Sequence, residues 1–303
     1  MPRPAPPLLS IGRLDGRLFG SPARDIWLAR ARVKAAATVA GIAGVPVDPD
    51  SILDWICGRT PPPRHSEGLN DPLSVAAIMH FLLLGEDGPD SLARASLNTL
   101  RTLLDDRTQA EMWGRDDLVR FGRAFREARA RLGAPYPSPT LLAVAERLQA
   151  IHRELEINPT EGRRVTTIDG RLLNVDPRSF GIVWLLACML PKALAAAGVT
   201  IQQIPSLVWL PKFLTGSAAE LAGEIETALG RTAWSGLAEL DKLERAVAAL
   251  SSDLGVTRRS KLPTLIRLEL AYPGLRVPAI ARLLDISPQG AAKLAAQAKL
   301  AAA

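Results

Sequence analysis

Residues 276–297 read RVPAIARLLDISPQGAAKLAAQ, two short helical patterns separated by a break. Ile280 and Leu284 fall one turn apart on the first pattern, and Ala281 is small where a second helix would approach. Asp285 stands where the chain must turn, a position that often calls for left-handed backbone, which Asp tolerates better than most residues other than Gly. Ile286 then points back to the shared core, Ser287 is placed to cap the second helix, and Pro288 suits its first position. Ala291 and Leu294 give that helix its buried side. Two helices crossing steeply over a short turn make a helix-turn-helix. Gln289, Gly290, Ala292, Lys293 and Gln297 are left facing outward. Gln can make a bidentate contact with adenine, Lys reaches guanine or phosphate, and Gly and Ala permit close approach to a groove. The positive end of the second helix suits a phosphate, which Ser287 can also contact. A purely structural Ala/Leu-rich helical pair is the competing reading; the simultaneous presence of the turn, cap and core residues favours contact with double-stranded DNA.

Charge points the same way. The chain of 303 residues carries a net charge of +6, and from Arg231 to the end 11 Lys or Arg stand against 6 Asp or Glu, so the patterned end is the basic end. A basic excess suits a polyanionic partner. Arg258, Arg259 and Lys261 precede a further helix, LPTLIRLELAY, and with Arg282 they are candidates for phosphate contacts, which position a domain without reading sequence. One such module reads only a few base pairs, so a homodimer is expected. Leu240, Leu243, Val247, Leu250 and Leu254 form a heptad stripe that packs either on its own domain or on a second copy. At two heptads it is short for a coiled coil, which favours packing within the chain.

The remainder reads as helices with defined ends. Ser21 and Pro22 start a run that Gly41 and Gly44 stop, and Asp71 and Pro72 start another that Gly85 ends. A helix over Arg115–Leu132 carries Arg120, Arg123, Arg126, Arg129 and Arg131 with Phe121 and Phe125 between them. It is either a phosphate-tracking face or, as charge runs on helices usually are, a solvated surface. PYPSP (135–139) cannot continue a helix, and a helix from Thr140 to about Glu156 follows it. Asp169-Gly170, between RRVTTI and RLLNV, is the one good hairpin signal. PSLVWLPKFL reads as an extended, packed connection. The expected fold is therefore mainly α: a multi-helical bundle with one small β-hairpin and a C-terminal helix-turn-helix. Its regions are an N-terminal helical region (1–155), a middle region with the hairpin (156–235) and the helix-turn-helix domain (236–298).

Composition and motifs argue against other classes. With 48% hydrophobic and 22% charged residues the chain can bury a large core. Cys57 and Cys188 are isolated, which suggests neither disulfide framework nor zinc site. The N-terminus lacks the apolar run of a signal peptide. The longest apolar stretch, Gly181 to Leu190, is far below the roughly 20 residues a membrane span needs, so the bacterial cytoplasm or nucleoid is the expected compartment. Phosphate-loop, dinucleotide, metalloprotease and nucleophile-elbow motifs are absent. His65, His80 and His152 have no motif spacing, and the adjacent pairs Asp105/Asp106 and Asp116/Asp117 point to different sides of a helix. Neither an enzyme, a cofactor nor a metal is expected. Two alternatives to DNA binding remain: a protein-interaction scaffold whose C-terminal pair is structural, and a small-molecule-sensing N-terminal region, which would need an enclosed pocket near His65 or His80.

RLDGRLFGSPARDIWLARARVKAAA (13–37) and RLELAYPGLRVPAIARLLDISPQGAAKLAAQ (267–297) together resemble an alphaproteobacterial, often plasmid-encoded family. That family joins an N-terminal domain of unknown function to a C-terminal helix-turn-helix DNA-binding domain. The two motifs stand at opposite ends in the expected order, while the middle matches only in its helical character. The resemblance implies DNA binding, consistent with a transcriptional or plasmid-function regulator. In the family more chain follows the second helix, whereas here KLAAA (299–303) reads as a cloning-site remnant that replaces a native C-terminal segment.

Overall fold

The computed structural model of the chain describes residues 6–60, 72–83, 92, 95, 123–155, 163–166, 172–175, 182–250 and 260–301. Within them the protein is mainly helical, and its centre is α2 (Arg24–Ile42), with 12 of its 19 residues buried. A helix rich in Ala presents small residues on all sides, so neighbours approach it from several directions. Those neighbours are α3 (Pro49–Ile56), α4 (Pro72–Leu82), α7 (Val183–Ala196), α8 (Ala218–Ala248) and α9 (Leu262–Ala271). Its start differs from expectation. Ser21 does not begin the helix, because its hydroxyl accepts from the Ala23 N–H and donates to Glu244 on α8; the helix begins two residues after Pro22 and runs through Gly41. Gly44, at φ +80°, then turns the chain away.

α1 (Pro7–Gly20) lies parallel to α8. Pro7 sits against Gly230, Leu14 against Gly236, and Arg17 pairs with Asp241 and Glu244. A Cβ on Gly230 would fall 2.4 Å from that of Pro7, so glycine is what lets the helices touch. α8 runs unbroken through residues 235 and 236 from a Ser217–Glu220 capping box, so the domain boundary expected there falls inside one helix. Leu240 and Leu243 of the heptad stripe are buried within the chain and Val247 packs on the same core; Leu254 lies outside the described residues.

α7 is buried on 11 of its 14 residues and continues through Pro191, past the point where the apolar run stops. Proline there removes one helical hydrogen bond, and burial against α2, α5 (Arg123–Gly133) and α6 (Leu141–Leu155) holds the turn. α5 and α6 meet at the proline corner, where Arg147 donates to the carbonyls of Arg131, Ala134 and Pro135 at 3.1, 2.6 and 2.7 Å. The same guanidinium stacks on Tyr136, 3.5 Å from the ring centre. Of the arginine run, Arg126 is exposed and Arg131 pairs with Glu154 at 2.6 Å; Arg120 lies outside the described residues. β1 (Arg163–Thr166) pairs antiparallel with β2 (Leu172–Val175), Arg163 opposite Val175; Asp169 and Gly170 lie outside the described residues. Ile204, Leu207, Val208 and Leu210 are buried in the connection that follows α7. Among the described residues no helix is long and apolar enough to cross a membrane.

Arg32 of α2 and His80 of α4 are buried in this core, at 6% and 2% exposure. Burial, and then the charge of Arg32, push the imidazole down to about 3. The folded chain therefore refuses a proton that the unfolded chain accepts below its ordinary value of about 6.5. Stability from this group is fully present above pH 6.5 and declines as pH falls toward 3, by about 1.4 kcal/mol per pH unit. Urea unfolding at pH 7, 5 and 4 is expected to show this slope in the native protein and its loss in the His80→Leu variant; equal slopes in both would refute the assignment.

Candidate nucleic-acid interface

Three helices form the C-terminal element: α9, α10 (Val277–Leu284) and α11 (Pro288–Ala301). The chain leaves α9 through buried Tyr272 and turns at Gly274, φ +80°. α10 buries Ala279, Ile280, Leu283 and Leu284, the side that its apolar spacing dictates. It ends at Asp285, at φ 50° and ψ 62°, the one non-glycine residue with positive φ among those described. The Asp285 N–H donates to the Arg282 carbonyl at 3.2 Å and the Ile286 N–H to Ala281 at 3.0 Å, the paired bonds of a Schellman end. Lys261, at the start of α9, donates its ammonium to the carbonyls of Leu284 and Asp285. It thus neutralises the negative end of α10.

A left-handed Asp costs about 1 kcal/mol relative to Gly, and a β-branched residue costs more. Asp285→Gly is expected to leave the melting temperature unchanged or raise it, and Asp285→Val to lower stability by about 1–2 kcal/mol. Thermal unfolding of the two variants checks this.

The cap of α11 comes from Ser287, whose hydroxyl oxygen accepts from the Gly290 N–H at 3.1 Å. A Cβ on Gly290 would stand 3.3 Å from that oxygen, so the half-buried glycine keeps the cap open. Ala291 is fully buried, and Leu294, Ala295 and Ala298 pack on the core. Gln289, Ala292, Lys293, Ala296 and Gln297 are exposed and share the opposite face, at steps of three and four. The helix continues to Ala301, through the first residues of the closing KLAAA.

The remaining cations divide. Lys261 is exposed and engaged on the end of α10. Arg282 is half-buried with its Nε enclosed, and its guanidinium lies beside Gly58. Arg258 and Arg259 lie outside the described residues. Arg276, which the sequence reading passed over, is exposed at the start of α10, where the first amides carry positive potential. Its signal was its place two residues before Pro278, at the mouth of a helix.

The element is held to the N-terminal helices. Arg267 pairs with Asp25 and donates to the Pro22 carbonyl at 2.6 Å. Arg30 donates to the Leu270 carbonyl at 2.7 and 3.0 Å. Arg59 bridges Asp54 and the Pro273 carbonyl, both at 2.6 Å, and the Arg276 N–H donates to the Cys57 carbonyl at 3.0 Å. Gly58, at φ +71°, brings its turn so close that a Cβ would meet that of Ala279 at 3.2 Å. Burial pushes the Cys57 thiol up to about 11, which keeps it protonated beside Pro273. The stretches 13–37 and 267–297, distant in sequence, are thereby in contact.

Among the described residues no group of three His, Cys, Asp or Glu is placed to hold a metal ion. His65 and both Asp-Asp pairs lie outside those residues. Comparison of the chain with protein-family models, curated proteins and solved structures gives no match.

Proposed function

We propose that the chain binds double-stranded DNA in a sequence-specific manner through a helix-turn-helix made of α10 and α11, as a homodimeric regulator of transcription or plasmid functions in the bacterial cytoplasm. One observation carries this reading: a left-handed turn at Asp285 and a serine cap at Ser287 orient α11 so that Gln289, Ala292, Lys293 and Gln297 face away from the core together. Small residues between one amide and one cation suit entry into a major groove. Arg276 and the Ser287 end of α11 hold backbone phosphates, with Arg258 and Arg259 as further candidates. The resemblance of the two terminal stretches to the plasmid-borne family supports the same reading. In this proposal Asp169-Gly170 closes β1 and β2 as a hairpin and the chain has no catalytic role.

The test is retention of random duplex DNA at two salt concentrations, followed by sequencing of the bound fraction. A recurrent motif whose binding weakens steeply with salt is the expected result. Retention of no DNA at low salt would overturn the proposal and leave the helical pair a structural element of a scaffold.

A further inference from the structure

The turn between α10 and α11 is held locally and from outside. Locally, the N–H groups of Asp285 and Ile286 return to the carbonyls of Arg282 and Ala281, and the Ser287 hydroxyl accepts from Gly290. These bonds leave the carbonyls of Leu284 and Asp285 open. Pro288, four residues after Leu284, has no N–H to offer it. The donor comes instead from Lys261, whose Nζ stands 2.5 Å from the Leu284 oxygen and 3.4 Å from that of Asp285. Lys261 immediately precedes α9, and its own carbonyl accepts from Leu265 at 2.9 Å. α9 is in turn fixed to α2 through Arg30 and Arg267. One ammonium thus joins the entry to α11 to a helix anchored on the body of the protein.

We propose that Lys261 is a positioning residue for DNA reading: its ammonium holds the turn and sets the angle at which α11 presents Gln289, Lys293 and Gln297, and it is not a phosphate contact. This role rests on the DNA-binding reading of α11. An ammonium has donors only, and here two carbonyls at the negative end of α10 face it. The turn it grips is also the place where restraint matters. Asp285, at φ 50°, is left-handed without being glycine, a conformation that persists only where its surroundings hold it. Gln297 lies roughly 14 Å along α11 from the turn, so a swing of about 10° there moves its backbone by about 2 Å. That exceeds what a hydrogen bond to a base edge tolerates. Contacts to the phosphate backbone carry no sequence information and do not depend on that angle in the same way.

The Lys261→Met variant tests this, since methionine keeps a side chain of similar length and removes its donors. Without DNA, hydrogen exchange at the Asp285 and Ile286 amides is expected to quicken by about tenfold, with the melting temperature of the chain unchanged. With DNA, affinity for the selected duplex should fall by about tenfold, while affinity for unrelated duplex and the salt slope stay as in the native chain. A phosphate contact would instead weaken all sequences alike and reduce the slope by about one. Measured against Asp285→Gly as reference, the same substitution should cost clearly less, because glycine keeps left-handed backbone unaided. Unchanged exchange, equal loss on selected and unrelated duplex, or a slope reduced by about one would each overturn the proposal. If the native chain retains no duplex, the DNA-binding reading falls and the positioning role with it, whereas the exchange rates still show whether Lys261 holds the turn.

Discussion

Gln289→Ala and Lys293→Ala are each expected to lower affinity for the selected duplex by about tenfold to a hundredfold, and together to reduce binding to the level of unrelated DNA. The size follows from about 1–3 kcal/mol for a good base contact in the major groove. The two substitutions separate by character. Loss of an amide that reads a base relaxes preference at one position and leaves the salt dependence alone. Loss of a cation that holds a phosphate weakens all sequences alike and reduces the salt slope by about one. Both side chains are exposed on α11, so neither variant should unfold more readily. Competition titrations with thermal melts in parallel check each point; undiminished binding by the double variant would remove α11 from the interface.

The largest effect on stability is expected at Trp27. This side chain, in the first turn of α2, is 1% exposed, and its indole N–H donates to the Gly236 carbonyl of α8 at 3.0 Å. The ring lies 2.9 Å from where a Cβ on Gly236 would sit, so the indole fills the space that the missing side chain leaves. Trp27→Ala removes that contact and opens a cavity between the two helices, at a cost of about 3–5 kcal/mol. That is a large share of the whole stability of a domain. Trp27→Phe keeps most of the packing and loses the hydrogen bond, for about 1–2 kcal/mol. Trp234, 45% exposed on α8, provides the contrast, with a change of about 0.5 kcal/mol or less on replacement by Ala. Urea denaturation of the three variants ranks them.

Local signals were legible in the sequence where local chemistry decides the structure. The helix expected from Thr140 to about Glu156 runs Leu141–Leu155, because Thr140 caps it and the corner before it is made of prolines. Asp285 and Ser287 take up the turn and cap geometry that their residue types favour. Tertiary uses were not legible. Gly236 reads as a break in the text, yet it sits within a 31-residue helix and serves the approach of Trp27 and Leu14. Lys261 reads as a free cation until folding brings it across 23 residues to the end of α10. Arg282 carries the same charge in sequence as Arg276, and only the fold, which sets it beside the Gly58 turn, distinguishes the half-buried side chain from the exposed one. Ser21 looks like a helix cap because nothing near it in sequence announces Glu244.

The attachment of α9 and α10 to α2 and α3 through Arg30, Arg59 and Arg267 bears on how a pair of binding sites would be spaced. A reading head on a flexible tether accepts sites at many separations, because the tether absorbs the difference. A head bolted to the body at several points does not: one inserted base pair rotates the second site by about 34° around the duplex and shifts it by about 3.4 Å. Two sites for this protein should therefore tolerate almost no change in spacing, and binding lost on adding five base pairs should return on adding about ten, one full turn of the helix.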